Sequence, residues 1–186
     1  MAAAGVFIEA TRYARQKRIG ESEERLFRAV NDLPDSIHVP VWIVMQFGSL
    51  ASVGASALIA RAVKGRSVAR RLAISGFTMW TFCKAVKRLI GRGRPDLHLE
   101  EVKVRGRLQS GGGFPSGHTA VAVALATVAG SASSLETARL LRAAAAAVGL
   151  ARIYVGAHLP LDVLGGAALG LATGAATELV GRAQAS

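Results

Sequence analysis

The sequence predicts an all-α polytopic membrane bundle: about five transmembrane helices, preceded by an amphipathic helix lying on the membrane surface. Three observations carry that expectation. Of the 186 residues, 51% are hydrophobic, and the mean hydropathy is +0.35. The formal net charge is nevertheless +11, a combination natural to a membrane protein with basic loops and rare in a soluble domain. The apolar residues also fall in runs close to the roughly 20 residues that cross a bilayer. Nucleic-acid binding is the other common use of positive charge. It favours aromatics interleaved with the basic residues, and aromatics are only 5% here. The length fits a single domain, residues 1–186, with 1–33 interfacial and 37–180 forming the transmembrane core.

The first stretch, MAAAGVFIEATRYARQKR, does not read as a signal peptide, because its apolar run is short and the basic cluster follows it. Residues 22–33 (SEERLFRAVNDL) read as a short amphipathic helix. Ser22 is placed to cap it, Glu23 and Glu24 suit its first turn, and Leu26, Phe27, Val30 and Leu33 share one face. With Arg12, Arg15, Lys17 and Arg18 upstream, this segment is expected to lie on lipid.

Residues 37–60 contain no Asp, Glu, Lys or Arg and are the strongest candidate span. Residues 116–135 are the next cleanest. Residues 72–90, 137–157 and 160–180 are apolar in the middle and charged near an end. Cys83 is the single cysteine; it excludes an intrachain disulfide and reads as packing. Gly166, Gly170 and Gly174 form a stripe along the last span that lets another helix come close, and this face could also seat a second copy of the chain.

If the five segments alternate in direction, one membrane face collects Lys87, Arg94, Ser116, His118, Arg152, His158 and Asp162. Charges at membrane depth are costly and mark a functional or water-lined site by default, whereas Arg139 and Arg142 only need to snorkel to the headgroups. Lys87, Arg94 and Arg152 beside the glycine-rich GGGFPSGH turn and a helix N-terminus make an anion site. Gly111, Gly112, Gly113 and Gly117 let backbone approach a ligand. Asp162, four residues after His158, is placed to accept a hydrogen bond from one ring nitrogen, which would leave the other nitrogen nucleophilic.

Taken together, KRLIGRGRP (Lys87, Arg94, Pro95), PSGH (Pro115 to His118) and RIYVGAHLPLD (Arg152, His158, Asp162) resemble the three-part signature of the type 2 phosphatidic acid phosphatase superfamily. That family includes prenyl-diphosphate phosphatases and the vanadium haloperoxidases. One departure stands out: the third motif usually opens Ser-Arg, and here it is Ala151-Arg152. The resemblance implies that His158 attacks phosphorus and forms a phosphohistidine, oriented by Asp162. His118 then protonates the leaving oxygen and later activates water. Lys87, Arg94, Ser116, the Gly117 N–H and Arg152 bind the phosphate oxygens. No metal and no cofactor are implied.

The expected activity is therefore hydrolysis of a lipid phosphate held in the bilayer, whether prenyl-linked or glycerolipid, monophosphate or diphosphate. Two alternatives are a vanadate-dependent peroxidase, disfavoured by the apolar spans, and a non-catalytic lipid-phosphate binder, disfavoured by the intact His118, His158 and Asp162. Short loops favour a substrate with a simple headgroup. The basic 61–71 loop favours a cytoplasmic position for itself and an extracytoplasmic active site in a multi-pass cell-membrane protein.

Overall fold

A computed structural model describes residues 2–184, and among these every regular element is helical. Eight α-helices follow one another: α1 (Ala2–Arg15), α2 (Glu21–Asn31), α3 (His38–Met45), α4 (Leu50–Val63), α5 (Arg66–Ile90), α6 (Gly117–Ser131), α7 (Leu135–Tyr154) and α8 (Pro160–Ala183). The centre is α6. Small side chains (Ala120, Ala122, Ala124, Ala126) and Val121 and Val128 are buried on several sides of it, as expected for a helix that is apolar all round. α5, α7 and α8 pack around it.

The glycine stripe of α8 explains how closely α6 can approach. A Cβ at Gly166 would run into the Ser116 carbonyl, one at Gly170 into the Ala120 carbonyl, and one at Gly174 into Thr127. The stripe is filled by α6 of the same chain, so it offers no free face to a second copy, contrary to that expectation. Outside this core, large apolar side chains stand exposed on helix after helix, among them Leu58, Ile74, Phe77, Leu89, Leu140, Leu164 and Leu179. A surface of this kind suits lipid better than water.

The strongest candidate span is not one helix. Asp35–Gly48 and Leu50–Val63 meet at a 67° bend, where a 3₁₀ turn at Gln46–Gly48 passes into Ser49, whose side chain caps α4 by accepting the Ser52 N–H. Of the five expected spans, only α8 is both long and apolar enough to cross a membrane by itself, and the bent pair would count as a second if taken as one broken span. The others fall short for specific reasons. α6 has 15 residues, about 22 Å of helix. α5 and α7 are long but carry charges toward both ends.

The N-terminal region departs from a purely interfacial segment. α1 buries Ala10 and Ala14 against the bundle, and Phe7 stacks on Phe114, ring centroids 6.0 Å apart. In α2, Gly20 and not Ser22 occupies the cap position. Phe27 is buried with Ile153 and Leu159, while Leu26 and Leu33 stay exposed.

Candidate active site

The three motif segments converge on one side chain, Asp162. It is the third residue of α8, fully buried, and its Oδ2 caps that helix by accepting the Leu159 N–H at 3.0 Å. Its Oδ1 accepts from an Arg92 guanidinium N–H at 2.9 Å, and its backbone carbonyl accepts the Ser116 N–H at 2.8 Å. The Nδ1 of His158 lies 3.5 Å from Oδ2. This is longer than a hydrogen bond but within reach of a small ring rotation. A Cβ at position 113 would crowd both Asp162 Oδ2 and the Gly93 carbonyl. Gly113 therefore serves close approach to Asp162, where a ligand had been expected.

Arg92 is a candidate-site residue that the sequence reading did not single out, although it lies within the first motif. It is completely buried and binds two carboxylates, Asp162 from α8 and Glu23 from α2, the latter at 2.7 Å. Glu23 in turn accepts the Leu161 N–H at 2.9 Å. A charge at such depth survives only when paired and hydrogen-bonded. The chain Glu23–Arg92–Asp162 meets that condition and clamps the His158 segment to the amphipathic helix.

The expected phosphate-binding groups line a cavity of about 320 Å³, together with both histidines. His118 sits in the first turn of α6, and Gly117, Lys87, Arg94 and Arg152 complete the polar wall. Lys87 donates to the Gly112 carbonyl at 3.1 Å. Arg94 donates to the carbonyls of Gly111 at 3.0 Å and Ala157 at 2.7 Å. Arg152 has a thioether as its hydrogen-bond partner, Met45 Sδ at 2.8 Å, and its Nε has none. Among the described residues, none of these three cations forms an ion pair. Burial, and then the positive fields of Lys87, Arg152 and Arg94, hold the His158 imidazole well below its ordinary range, so it is neutral and its lone pair is free near pH 7.

Three placements differ from expectation. Ser116 is fully buried, accepts a hydrogen bond from Thr119 at 2.9 Å, and is not part of the cavity wall. Ala151 lines a separate apolar groove beside Val30 and Ile37, so its missing hydroxyl takes nothing from this cavity. The bend after α3 supplies Gly48, Ser49 and Leu50 to the wall, and a Cβ at Gly48 would collide with the His118 carbonyl. Irregular backbone at membrane depth is tolerated where it lines such a cavity.

With this geometry established, comparison with known proteins is direct. A sequence model of the PAP2 superfamily matches residues 64–184. The decaprenylphosphoryl-5-phosphoribose phosphatase of Mycobacterium tuberculosis is 38% identical over 96 residues, 52% of this chain and 51% of that protein. The chain thus spans about half the length of the curated relatives it matches. Among solved structures, Aquifex aeolicus LpxE superposes with a TM-score of 0.74 at 27% identity, covering 83% of this chain and 93% of that one. A transmembrane PAP2 type phosphatidylglycerolphosphate phosphatase from Bacillus subtilis superposes with a TM-score of 0.79 at 19% identity, covering 97% and 96%. At that identity the likeness is one of fold.

Proposed function

The chain belongs to the PAP2 superfamily, and from that premise we propose that it is a multi-pass membrane phosphatase that hydrolyses a lipid phosphate through a phosphohistidine. The observation that carries the reading is the single cavity shared by two histidines and three cations that lack carboxylate partners. A phosphate group is the ligand that would satisfy all three at once, since its oxygens accept the N–H donors now turned to carbonyls and a sulfur.

In this reading the neutral His158 attacks phosphorus with one ring nitrogen while Asp162 holds the other side of the ring. The P–N bond forms as the bond to the leaving oxygen breaks, and His118 delivers a proton to that oxygen. His118 then takes a proton from water, which attacks phosphorus and releases phosphate from His158. Lys87, Arg94, Arg152 and the Gly117 N–H neutralise the equatorial oxygens, the electrostatic part that magnesium plays in other phosphoryl-transfer enzymes. Ser116 acts from behind this layer, fixing the start of α6 through its backbone and Thr119. The substrate tail lies in the bilayer against the exposed apolar belt, and five crossings, the first of them bent, fit that arrangement. The basic 61–71 loop favours an extracytoplasmic site.

Release of inorganic phosphate from detergent-solubilised lipid phosphates, with EDTA present, tests the activity. Rapid quench into alkaline SDS with ³²P-labelled lipid tests the intermediate, since a base-stable phosphoenzyme that acid then releases is expected. Turnover that requires added metal, or a phosphoenzyme that survives His158→Ala, would contradict the mechanism. Inhibition by vanadate without halide oxidation separates it from peroxidase chemistry.

A further inference from the structure

Glu23 lies in the first turn of α2, outside residues 64–184 that match the superfamily, yet it holds Asp162 in place from two sides. Its Oε2 and Oε1 accept from the two terminal nitrogens of Arg92 at 2.7 and 3.2 Å. Such a two-pronged pairing fixes the plane of a guanidinium. The nitrogen bound by Oε1, Nη1, is the one that also donates to Asp162 Oδ1. Glu23 Oε1 accepts in addition the Leu161 N–H, an otherwise orphan donor in the first turn of α8 and the backbone neighbour of Asp162. Glu23 thus reaches the Asp162 carboxylate through its cation and through its backbone, on the side away from the His158 ring.

Charge gives this contact a second consequence. Arg92 is completely buried behind a cavity already lined by Lys87, Arg94 and Arg152. With Glu23 ionised, the Arg92 charge is shared between two carboxylates. Without the Glu23 charge, Asp162 faces Arg92 alone and the whole site is one unit more positive. An anionic phosphate gains from that surplus when it binds. The step that follows loses by it, because attack by the neutral His158 ring turns it into a positively charged phosphohistidine, which the Asp162 carboxylate has to stabilise. The two effects of Glu23 therefore point the same way, toward the transition state and not toward binding.

We propose that Glu23 is a positioning residue for phosphoryl transfer. Acting through Arg92 and Leu161, it keeps Asp162 aligned on His158 and leaves the Asp162 charge available to the ring as it becomes cationic. The amphipathic helix α2 is then a working part of the site and not only an interfacial element. The inference rests on the phosphatase reading above and adds to it a residue that touches neither substrate nor nucleophile.

The test compares Glu23→Gln, which removes the charge and keeps the shape, with Glu24→Gln on the next residue, whose carboxylate pairs with Arg28 inside α2 at 2.8 Å. Phosphate release is followed in mixed micelles on phosphatidic acid, phosphatidylglycerol phosphate or a prenyl phosphate, whichever the wild-type protein turns over. Two inhibitors are titrated beside it: inorganic phosphate, a ground-state anion, and vanadate, which takes the five-coordinate shape of the transition state. Glu23→Gln should lower kcat at least about tenfold, the worth of one charge-assisted hydrogen bond. Its vanadate inhibition should weaken in step, while KM and phosphate inhibition stay unchanged or tighten. Glu24→Gln should change none of these. Weakening of phosphate and vanadate together, equal losses in the two variants, or a wild-type kcat in Glu23→Gln would overturn the proposal and leave the phosphatase reading intact. If Glu23→Gln no longer melts cooperatively in detergent, Glu23→Asp, which keeps the charge on a shorter arm, is held to the same separation of phosphate from vanadate. No phosphate release from any of the three lipids by the wild-type protein would overturn both.

Discussion

The two ends of the bundle handle buried charge in opposite ways. At the far end, Arg71 of α5 meets Glu178 of α8 at 2.6 Å, with both side chains largely shielded, and Arg70 donates to Gln184. Arg71, the shielded cation there, has its answer within the chain. At the site end, Arg92 is answered twice, by Glu23 and Asp162. Lys87, Arg94 and Arg152, which line the cavity with both histidines, have no carboxylate partner among the described residues. A paired cation holds helices together, whereas an unpaired one is held ready for something that comes and goes.

The largest expected effect falls on the site end alone. His158→Ala should abolish turnover and phosphoenzyme, because the proposed mechanism gives the attack to His158 and the proton transfers to His118, whereas Arg71→Met should leave kcat/KM unchanged. Detectable turnover in the first, measured by phosphate release, would break the contrast. Next comes His118→Ala, which should slow lipid phosphate cleavage by about 10²–10⁴. The loss should shrink for nitrophenyl phosphate, whose leaving group needs little protonation. An equal loss on both substrates would remove His118 from the acid role.

Arg92→Met sharpens the comparison through stability. It strands Asp162 and Glu23 as buried carboxylates, and breaking a buried pair typically costs about 3–5 kcal/mol. Arg71→Met leaves one buried carboxylate, Glu178, without its partner where Arg92→Met leaves two, and should cost less. Thermal melts in detergent should rank the two that way, and Glu23→Gln should fall below Arg92→Met while lowering kcat more than KM. The smallest effect is a pH dependence. His158 has a depressed folded-state pKa, so the unfolded chain binds its proton first as pH falls through about 6.5. Stability contributed by the neutral ring is complete above that pH and is lost below it. His158→Asn should therefore lose less stability than the wild-type protein between pH 7 and 5, by up to about 1.4 kcal/mol per unit. Parallel curves would show that this imidazole is solvated after all.

Much of this was legible from residues alone. The helical class follows from the long apolar runs, and the gathering of Lys87, Arg94, His118, Arg152 and His158 follows from alternating segments. What stayed hidden depends on long-range partners. Glu23 looks like any first-turn acid, and nothing local distinguishes a residue serving a helix dipole from one that reaches an arginine 69 positions away. Arg92 lies inside the first motif, but nothing local sets it apart from its basic neighbours. The 67° bend was masked by an unbroken apolar run, although Gln46, Gly48 and Ser49 could have hinted at it. That the Ser116 hydroxyl accepts from Thr119 was not legible either, because side-chain direction at a helix start depends on what packs beside it.

The clamp on Asp162 also sets an order of assembly. Glu23 is synthesised early, and the Leu161 N–H it binds lies 138 residues further along. While the chain is still emerging from the ribosome, Glu23 and Arg92 can find each other, but neither can meet the carboxylate that completes the network. The carboxylate beside His158 therefore takes its place only after α8 has docked, so an incompletely translated chain holds its cations without Asp162. In the proposed mechanism, competence is a late event of biosynthesis, reached when α2 and α8 close on the same arginine.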